Sequence, residues 1–261
     1  MPPLVTLLSD FGSGSPYPAA MRAVLAAYGE MRCIDISHDV PPHDVRAGAY
    51  LLSTIVPFTP AGTVHVAVVD PGVGTSRRAL IVVAGGQSFV GPDNGLLMPA
   101  ARRAGAPRAY VITDEALLRG VRSSTFHGRD LFAPAAGRLA QGTPPGALAA
   151  PAPEIVDLDL GTGRAVRGAL VGEILYVDAF GNLITNIPAS LLPPAGTRVT
   201  LRAGRRLAAA RVSRTYGETA RGRLVVVPGS DGLVEIAVRE GRASVALHAS
   251  AGAPVRLGRG R

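Results

Sequence analysis

Short apolar runs rich in β-branched residues alternate with longer segments of helical period through the first half of the chain. The runs show no polar alternation, which predicts strands that are covered on both faces. The predicted strands are residues 4–8, 33–37, 63–69, 79–84 and 109–112. The predicted helices are residues 17–29, 43–56, 95–105 and 128–142. This alternation indicates an α/β domain with a mixed or mostly parallel sheet.

The pattern changes in the middle of the chain. Residues 143–168 are rich in proline and glycine and show no helical period, so we predict a linker over residues 151–168. It separates an α/β domain over residues 1–150 from a smaller all-β, barrel-like domain over residues 169–261. The second domain contains short strand-like pieces at hairpin spacing: residues 172–178, 182–187, 197–202, 206–213, 223–230, 233–240 and 253–258.

Composition limits the protein class. The chain has 261 residues, of which 47% are hydrophobic, enough to bury substantial cores. It contains no apolar run of about 18 residues, and its first residues lack the basic start and cleavage site of a signal peptide. We therefore expect a cytoplasmic protein with no membrane partner. Cys33 is the single cysteine and has no partner for a disulfide or a cysteine-based metal cluster.

The net charge of +8 lies mostly in the second domain, where residues 169–261 carry 13 arginines against 6 acidic residues. Nucleic-acid surfaces usually add aromatic platforms to their charge, but aromatic residues make up 5% of this chain and tryptophan is absent. We interpret the excess as a solvated basic face and expect no nucleic-acid partner. A non-catalytic nucleotide- or RNA-binding protein stays open as an alternative, with an affinity that falls steeply with salt.

Polar side chains cluster where the predicted strands end. Asp10, Asp35 and Asp70 close three of them, and ligands of α/β sheets bind beyond the carboxyl ends of strands. An acidic group at the end of an apolar strand is costly unless something uses it, which favours a functional role for Asp10 and Asp70. Other polar groups have structural interpretations as helix caps, turns or helix N-terminal charges: Asp39, His43, Asp44, Asp93, Asn94 and Asp130.

The loop in "VVDPGVGTSRR" separates Asp70 from Arg77 by seven residues and contains Gly72 and Gly74. It is no phosphate-binding P-loop, because it lacks the Gly-Lys-Ser/Thr ending and a strand follows it. The glycines allow the loop to bring the carboxylate and the guanidinium together over a pocket. The alternative is a structural salt bridge. At a loop mouth we expect such a pair to be partly exposed, with a contribution of about 1 kcal/mol.

Six segments in order carry a family resemblance: "LLSDFG", "ISHDVPPHDVRAGAYLL", "VVDPGVGTSRR", "FVGPDNGLL", "STFHGRDLFAPAA" and "DAFGNLITNI". Together they resemble the S-adenosyl-L-methionine hydroxide adenosyltransferases, hydrolase relatives of the fluorinating and chlorinating enzymes. The resemblance implies an enzyme with an α/β domain followed by a β-barrel-like domain. It also implies hydrolysis of S-adenosyl-L-methionine to adenosine and methionine with no metal and no cofactor.

The resemblance further implies particular site residues. A catalytic triad of Asp70, Arg77 and His127 would hold the attacking water. The halogenating relatives carry a serine where this chain has Gly128, so the resemblance of the His127-Gly128 pair to the hydrolases favours water as the nucleophile. The implied substrate contacts are Asp10 for the ribose, Asn182 for the adenine, and Ser230, Glu235 and the backbone near Val238 for the methionine.

The implied assembly is a homotrimer whose site is shared between the first domain of one subunit and the second domain of its neighbour. Two catalytic alternatives remain at this stage. One is a halogenase of the same family. The other is a metal-dependent phosphohydrolase that would use a cluster of hard ligands: Asp10, Asp35, His38, Asp39, His43 and Asp70.

Overall fold

The computed structural model describes residues 1–260, which divide into two compact units with the boundary between Asp159 and Leu160. The first unit contains a seven-stranded sheet with helices. Its strands are β1 (Leu4–Ser9), β2 (Arg32–Ser37), β3 (Val64–Val68), β4 (Ala79–Ala84), β5 (Gln87–Pro92), β6 (Arg108–Ile112) and β7 (Ala149–Pro151). Its helices are α1 (Tyr17–Ala26), α2 (Val45–Ile55), α3 (Met98–Ala104), α4 (Glu115–Arg119) and α5 (Ala133–Ala140).

The sheet is mixed, in the order β2-β1-β3-β5-β4-β6-β7. The first four strands in that order are parallel to their neighbours, and the rest pair antiparallel. Because β2, β1 and β3 are adjacent and parallel, the loops after their carboxyl ends meet at one edge. Asp10, the segment 38–44 and Asp70 therefore begin at the same edge of the sheet.

The mixed sheet confirms the predicted fold class, and the five predicted strands are present with small shifts at their ends. The sequence interpretation missed β5, which forms a hairpin with β4. Gly85 and Gly86 make its two-residue turn with φ of 56° and 76°, a conformation that glycine adopts without the steric cost of a Cβ. It also missed α4, whose first turn is capped by Asp114 through the backbone N–H of Leu117.

The predicted helix over residues 128–142 is two elements. Gly128–Phe132 form a single wide π-helical turn, in which the N–H of Ala133 bonds to the carbonyl of Gly128, and α5 follows. Phe132 is fully buried and packs in the same core as Met21 and Leu25, one helical turn apart on α1. Phe132 thus anchors the turn in the core of the first unit. The residues before the turn lie at the edge of the sheet where the loops after β1, β2 and β3 meet.

The second unit contains a closed barrel. Its strands are β8 (Arg164–Val166), β9 (Ala169–Val177), β10 (Leu183–Pro188), β11 (Arg198–Ala203), β12 (Arg206–Val212), β13 (Leu224–Pro228), β14 (Leu233–Val238) and β15 (Pro254–Arg259), with a short helix α6 (Ala243–Leu247). Seven strands close in the order β9-β10-β14-β13-β12-β11-β15, because β15 and β10 both pair with β9. All seven predicted pieces are strands, which confirms the barrel-like second region.

Alternation along the barrel strands explains why they were predictable. Val199, Leu201 and Ala203 of β11 point into the barrel core, whereas Arg198 and Arg202 lie outside. Residues 149–151 and 164–166 form β7 and β8 within the segment that lacks helical period. Among residues 1–260, no helix has the length and hydropathy needed to cross a membrane.

Candidate active site

A cavity of about 330 Å³ opens in the first unit. Its wall is built from the loops that follow β1, β2 and β3, together with the residues just before the π-helical turn. Predicted site residues Asp10, Asp70 and His127 all line it, as does Gly128. The structure therefore brings together three strand-end loops and one helix start that are far apart in sequence.

Asp70 and Arg77 form a two-pronged ion pair at this cavity. Nε of Arg77 lies 3.0 Å from both carboxylate oxygens of Asp70, and Nη2 lies 2.5 Å from Oδ2. The two side chains are only 5% and 10% exposed, so the expectation of a partly exposed pair was wrong. The guanidinium also lies over the ring of Phe132, 5.2 Å from its centroid, which shields the pair from solvent.

His127 joins this pair through its ring nitrogen. Nη2 of Arg77 donates to Nδ1 of His127 at 2.7 Å. Burial lowers the pKa of His127 below its ordinary value, and the positive charge of Arg77 lowers it further, while Asp70 and Asp130 oppose the shift. The imidazole is consequently neutral at pH 7 and Asp70, Arg77 and His127 form one connected hydrogen-bonded group.

The loop that carries Asp70 packs against the segment that carries His127. Gly74 has a φ of 77°, and a Cβ built on it would lie 3.0 Å from the carbonyl oxygen of Ser124. Glycine is therefore required there both by backbone conformation and by the close approach of the second loop. The approach brings the two halves of the triad into contact.

Asp130 anchors the segment before His127. Its Oδ2 accepts the backbone N–H groups of Arg122 and Ser123 at 3.0 and 2.8 Å. Arg129 grips the same carboxylate through Nε at 2.6 Å and Nη2 at 3.0 Å. The hydrogen bonds from Arg129 and from the backbone lower the pKa of Asp130. The sequence predicted Asp130 as a charge at a helix N-terminus. In the structure its carboxylate also clamps the segment before His127 through these hydrogen bonds.

Asp10 also takes part in a contact between loops. Its Oδ2 accepts the backbone N–H of His43 at 2.9 Å, which ties the loop after β1 to the loop after β2. Beneath them, the buried hydroxyl of Ser9 lies 2.7 Å from Nδ1 of His38, and the N–H of Gly12 donates to the carbonyl of His38. These bonds hold the Asp10 carboxylate at the cavity wall.

The side chains grouped above as hard-metal ligands do not converge. Asp35 pairs with Arg22 and lies 3.2 Å from Nε2 of His38, whereas Asp39 accepts the N–H of Ser13. Asp44 caps α2 through the N–H of Ala47. Within residues 1–260, no three His, Cys, Asp or Glu side chains gather in an arrangement that could hold a metal ion. The donor set therefore does not fit a metal centre.

The remaining candidates, Asn182, Ser230, Glu235 and Val238, lie in the second unit. Asn182 is buried and is held by Asp178, which accepts its backbone N–H at 2.8 Å and its side-chain amide at 3.0 Å. Ser230 is exposed in the β13–β14 turn and donates to Asp231. Val238 ends β14, and its carbonyl accepts the N–H of Gly241.

Glu235 is the titratable side chain among these four candidates, and its pKa is raised. Its Oε1 accepts the hydroxyl of Tyr216 at 2.6 Å. Burial raises the pKa of Glu235, and the negative charges of Asp178 and Asp231 raise it further against the opposing bond from Tyr216. Since Asp178 acts on Glu235 and also binds Asn182, these side chains form one polar cluster in the second unit.

Sequence reasoning missed several residues beside the predicted ones. Phe11, Tyr17 and Thr125 line the cavity, and the rings of Phe11 and Tyr17 meet edge to face with centroids 5.9 Å apart. Phe11 lies within "LLSDFG", but an aromatic residue at a strand end carries no distinctive chemical signal. Asp178 begins the segment "DAFGNLITNI" that contains Asn182, but it was given no role, and Tyr216 was missed because its partner is 19 residues away and no motif links the two.

Comparison with known proteins identifies relatives for both units. Residues 5–149 match the SAM hydroxide adenosyltransferase N-terminal domain, and residues 172–256 match the corresponding C-terminal domain. The chain is 44% identical to the (R)-S-adenosyl-L-methionine hydrolase of Salinispora tropica, over 98% of this chain and 97% of that protein. It is 42% identical to the hydrolase of the same name from Thermus thermophilus, over 97% and 98%. A crystal structure of a conserved Thermotoga maritima protein matches with a TM-score of 0.92 and 35% identity, over 98% of this chain and 100% of that one.

Proposed function

Because the chain belongs to the SAM hydroxide adenosyltransferase family, we propose that it hydrolyses S-adenosyl-L-methionine to adenosine and L-methionine. The observation that carries the residue-level mechanism is the connected group of Asp70, Arg77 and His127, of which Asp70 and His127 line the cavity. The relatives are named for the (R) epimer of the sulfonium, and the proposal extends that preference to this chain.

The proposed reaction is an in-line displacement at C5′ of the substrate. The oxygen of a water forms a bond to C5′ while the C5′–S bond breaks, and its electron pair returns to sulfur. Methionine leaves as a neutral thioether, so no general acid is needed, and the water proton passes to a carboxylate or to solvent. The cationic charge disperses as the bond breaks, so positioning and partial desolvation supply the acceleration.

The triad would divide the work as follows. Arginine only donates, so Nδ1 of His127 accepts from Arg77 and the neutral ring carries its hydrogen on Nε2. His127 would then donate from Nε2 to the oxygen of the nucleophile. Asp70, oriented by Arg77, would accept the water proton through a lone pair that the guanidinium leaves free. This supports His127 as an orienting donor and Asp70 as the acceptor.

Substrate contacts follow the resemblance. Asp10 would accept from the ribose hydroxyls through the oxygen that His43 leaves unoccupied. The faces of Phe11 and Tyr17 at the cavity wall would suit a sulfonium cation. In the second unit the proposed contacts are Asn182 for the adenine and Ser230, Glu235 and the backbone of Val238 for the methionine.

Gly128 bears on the choice between hydrolysis and halogenation. A Cβ built there would lie 3.2 Å from the sulfur of Met21 and 3.3 Å from a ring carbon of Phe11. A serine side chain for a dehydrated halide would therefore push against the buried Met21 and the half-buried Phe11. This crowding supports water, rather than halide, as the nucleophile.

The proposal includes the domain roles and the assembly implied by the resemblance. The first domain, residues 1–150, would supply the triad, and the second, residues 169–261, would supply adenine and methionine contacts. The chain would form a homotrimer that completes each site with residues from two subunits, without nucleic acid or membrane partners. We also propose a cytoplasmic location.

The decisive experiment incubates the protein with each sulfonium epimer of S-adenosyl-L-methionine and identifies the products. Adenosine and methionine, formed faster from the (R) epimer and with a chelator present, are expected. Complete loss of activity with chelator would contradict a metal-free reaction. A 5′-halogenated adenosine as the main product in halide buffer would favour the halogenase instead.

A further inference from the structure

A second large cavity, of about 910 Å³, lies on the outer side of the barrel in the second unit. Its lining includes Arg198 and Thr200 of β11, Leu207 of β12, and residues 218–220 of the segment before β13. None of the proposed substrate contacts is among its lining residues. The cavity therefore needs its own explanation.

The charge in this cavity is unbalanced. Four arginines line it, Arg198, Arg211, Arg223 and Arg259, together with one carboxylate, Glu218. Glu218 is already engaged by Arg214, through its backbone N–H at 2.9 Å and through Nε at 2.7 Å. Within residues 1–260, no ion pair joins any of the four lining arginines to a carboxylate.

Two of these arginines form a like-charged pair, which Glu218 offsets in part because its charge also acts on Arg211. Arg198 and Arg211 stand directly opposite each other on the antiparallel strands β11 and β12. Like charges in that position repel. Arg202 and Arg256 oppose each other in the same way on β11 and β15, but they do not line this cavity. Arg198 and Arg211 therefore differ from Arg202 and Arg256 because they line the cavity, whereas both pairs are directly opposed.

Strand β12 adds an apolar wall to the cavity. β12 pairs with β11 over residues 206–211 but with β13 only at Arg211 and Val212. Leu207, Ala209 and Ala210 of β12 line the cavity beside the arginines. The site therefore offers guanidinium groups and an apolar wall side by side.

From this combination we propose that the cavity binds a small molecule that carries two or more phosphate groups on an apolar or aromatic body. Guanidinium forks match phosphate oxygens in pairs, and convergence of several forks favours a polyphosphate over a single carboxylate. The volume lies within the range of small-ligand sites, which suits a discrete ligand better than a continuous strand of nucleic acid. The proposal goes beyond the hydrolase activity and does not depend on it.

The test is calorimetric titration of the whole protein with inorganic triphosphate, GTP and guanosine, which avoid adenosine-containing probes. Triphosphate and GTP are expected to bind at one site per chain, GTP more tightly, and guanosine is expected not to bind. The double variant Arg198→Ala/Arg211→Ala should weaken triphosphate binding at least tenfold. Its melting temperature without ligand should not fall, because the variant removes a repulsive pair.

The matched control is Arg202→Ala/Arg256→Ala, which removes the same charge from an opposed pair outside the cavity. It should change the affinity less than twofold, and Arg223→Glu should abolish binding. Equal losses in the two double variants would overturn the proposal in favour of diffuse surface charge. No binding of triphosphate by wild type would also overturn it, as would tighter binding of a 20-nucleotide single strand. Asp70→Ala should bind triphosphate normally, so failure here and failure of the hydrolase proposal are distinguishable.

Discussion

Arg77 contacts both other members of the triad through one nitrogen, with Nη2 2.5 Å from Oδ2 of Asp70 and 2.7 Å from Nδ1 of His127. The guanidinium is therefore a bridge whose donors determine which nitrogen of the imidazole accepts. Because Nδ1 accepts, the nitrogen that is free to act on a substrate is a donor.

The first prediction separates the two ring nitrogens of His127. In His127→Gln the amide nitrogen reaches the position of Nε2 and keeps a donor, whereas in His127→Asn the amide reaches only the position of Nδ1. We expect kcat to fall about 10-fold in the glutamine variant and about 1,000-fold in the asparagine variant, the range for loss of a positioned donor or base. Equal kcat values in steady-state assays of the two variants would contradict the donor role.

The second prediction concerns the buried ion pair. Asp70→Asn or Arg77→Gln alone leaves one charge without its partner at a site where both side chains are almost completely buried. Each single change should lower the free energy of unfolding by about 3 kcal/mol, and the double change should cost less than the sum. Urea denaturation measures this cycle.

The exposed pair of Glu115 and Arg119 provides the control, with side chains 75% and 79% exposed. The same cycle there should give changes below about 0.5 kcal/mol. Strict additivity at Asp70 and Arg77 would show that the pair does not act as a unit. In activity assays, Asp70→Asn and Arg77→Gln should each lose kcat far more than they raise KM, because in the proposed mechanism Asp70 accepts the water proton, Arg77 orients Asp70 and His127, and neither residue contacts the adenine.

The third prediction concerns Asp130 as a positioning residue. Asp130→Asn weakens the clamp on the segment before His127, so kcat should fall about 10-fold to 100-fold at pH 7 with little change in KM. The negative charge of Asp130 raises the pKa of His127, so its removal lowers that pKa. If protonation of His127 ends activity in acid, the acid limb of the kcat profile should move to lower pH.

Asp114→Asn is the matched control for Asp130. Asp114 also accepts a backbone N–H and pairs with an arginine, Arg138, at 3.0 Å. Asp114→Asn should alter the free energy of unfolding without moving the acid limb of the kcat profile. A limb that stays fixed in Asp130→Asn would remove the electrostatic link to His127.

The fourth prediction concerns the fully buried His65. Its ring lies 2.7 Å from the hydroxyl of Thr6 and 3.0 Å from the amide oxygen of Gln87, and burial lowers its pKa to about 4. An unfolded histidine has a pKa of about 6.5, so between pH 6.5 and pH 4 the unfolded chain binds more protons. This residue alone should therefore remove about 3 kcal/mol of stability as the pH falls through that window.

Urea denaturation between pH 7.5 and pH 4 measures the effect. His65→Gln should be less stable at pH 7.5 but should lose less stability on acidification than wild type. The control His248→Asn replaces an exposed histidine with a φ of 48°, a conformation that asparagine tolerates. Its pH dependence should match wild type, and an unchanged slope in His65→Gln would refute the assignment.

The fifth prediction tests the shared site. Inactive Asp70→Ala subunits are mixed with inactive Asn182→Ala subunits and exchanged by mild denaturation. If sites combine residues of two subunits, some sites in the mixed trimers are intact and hydrolysis returns. A mixture that stays inactive after verified exchange would show that each chain builds its own site.

The sequence was most informative where chemistry and local pattern coincide. The barrel strands were predictable because inward Val199, Leu201 and Ala203 alternate with outward arginines. The Asp70–Arg77 contact was predictable because the loop between them is short. Its burial was not, because Phe132, which covers Arg77, lies 55 residues further along the chain. The β4–β5 hairpin was missed because β5 ends in Gly91 and Pro92, which rarely indicate a strand.

The single π-helical turn at Gly128–Phe132 has a consequence for how the site is encoded. In such a turn the backbone hydrogen bond joins residues five apart, whereas in an α-helix it joins residues four apart. The turn therefore contains one extra residue. Removal of one residue within it would restore a regular helix and rotate everything before it by about 100° relative to α5. His127 would then swing away from Arg77 although every residue of the triad was still present. The number of residues in this one helical turn, as much as the identity of the side chain, therefore determines the direction of the His127 imidazole.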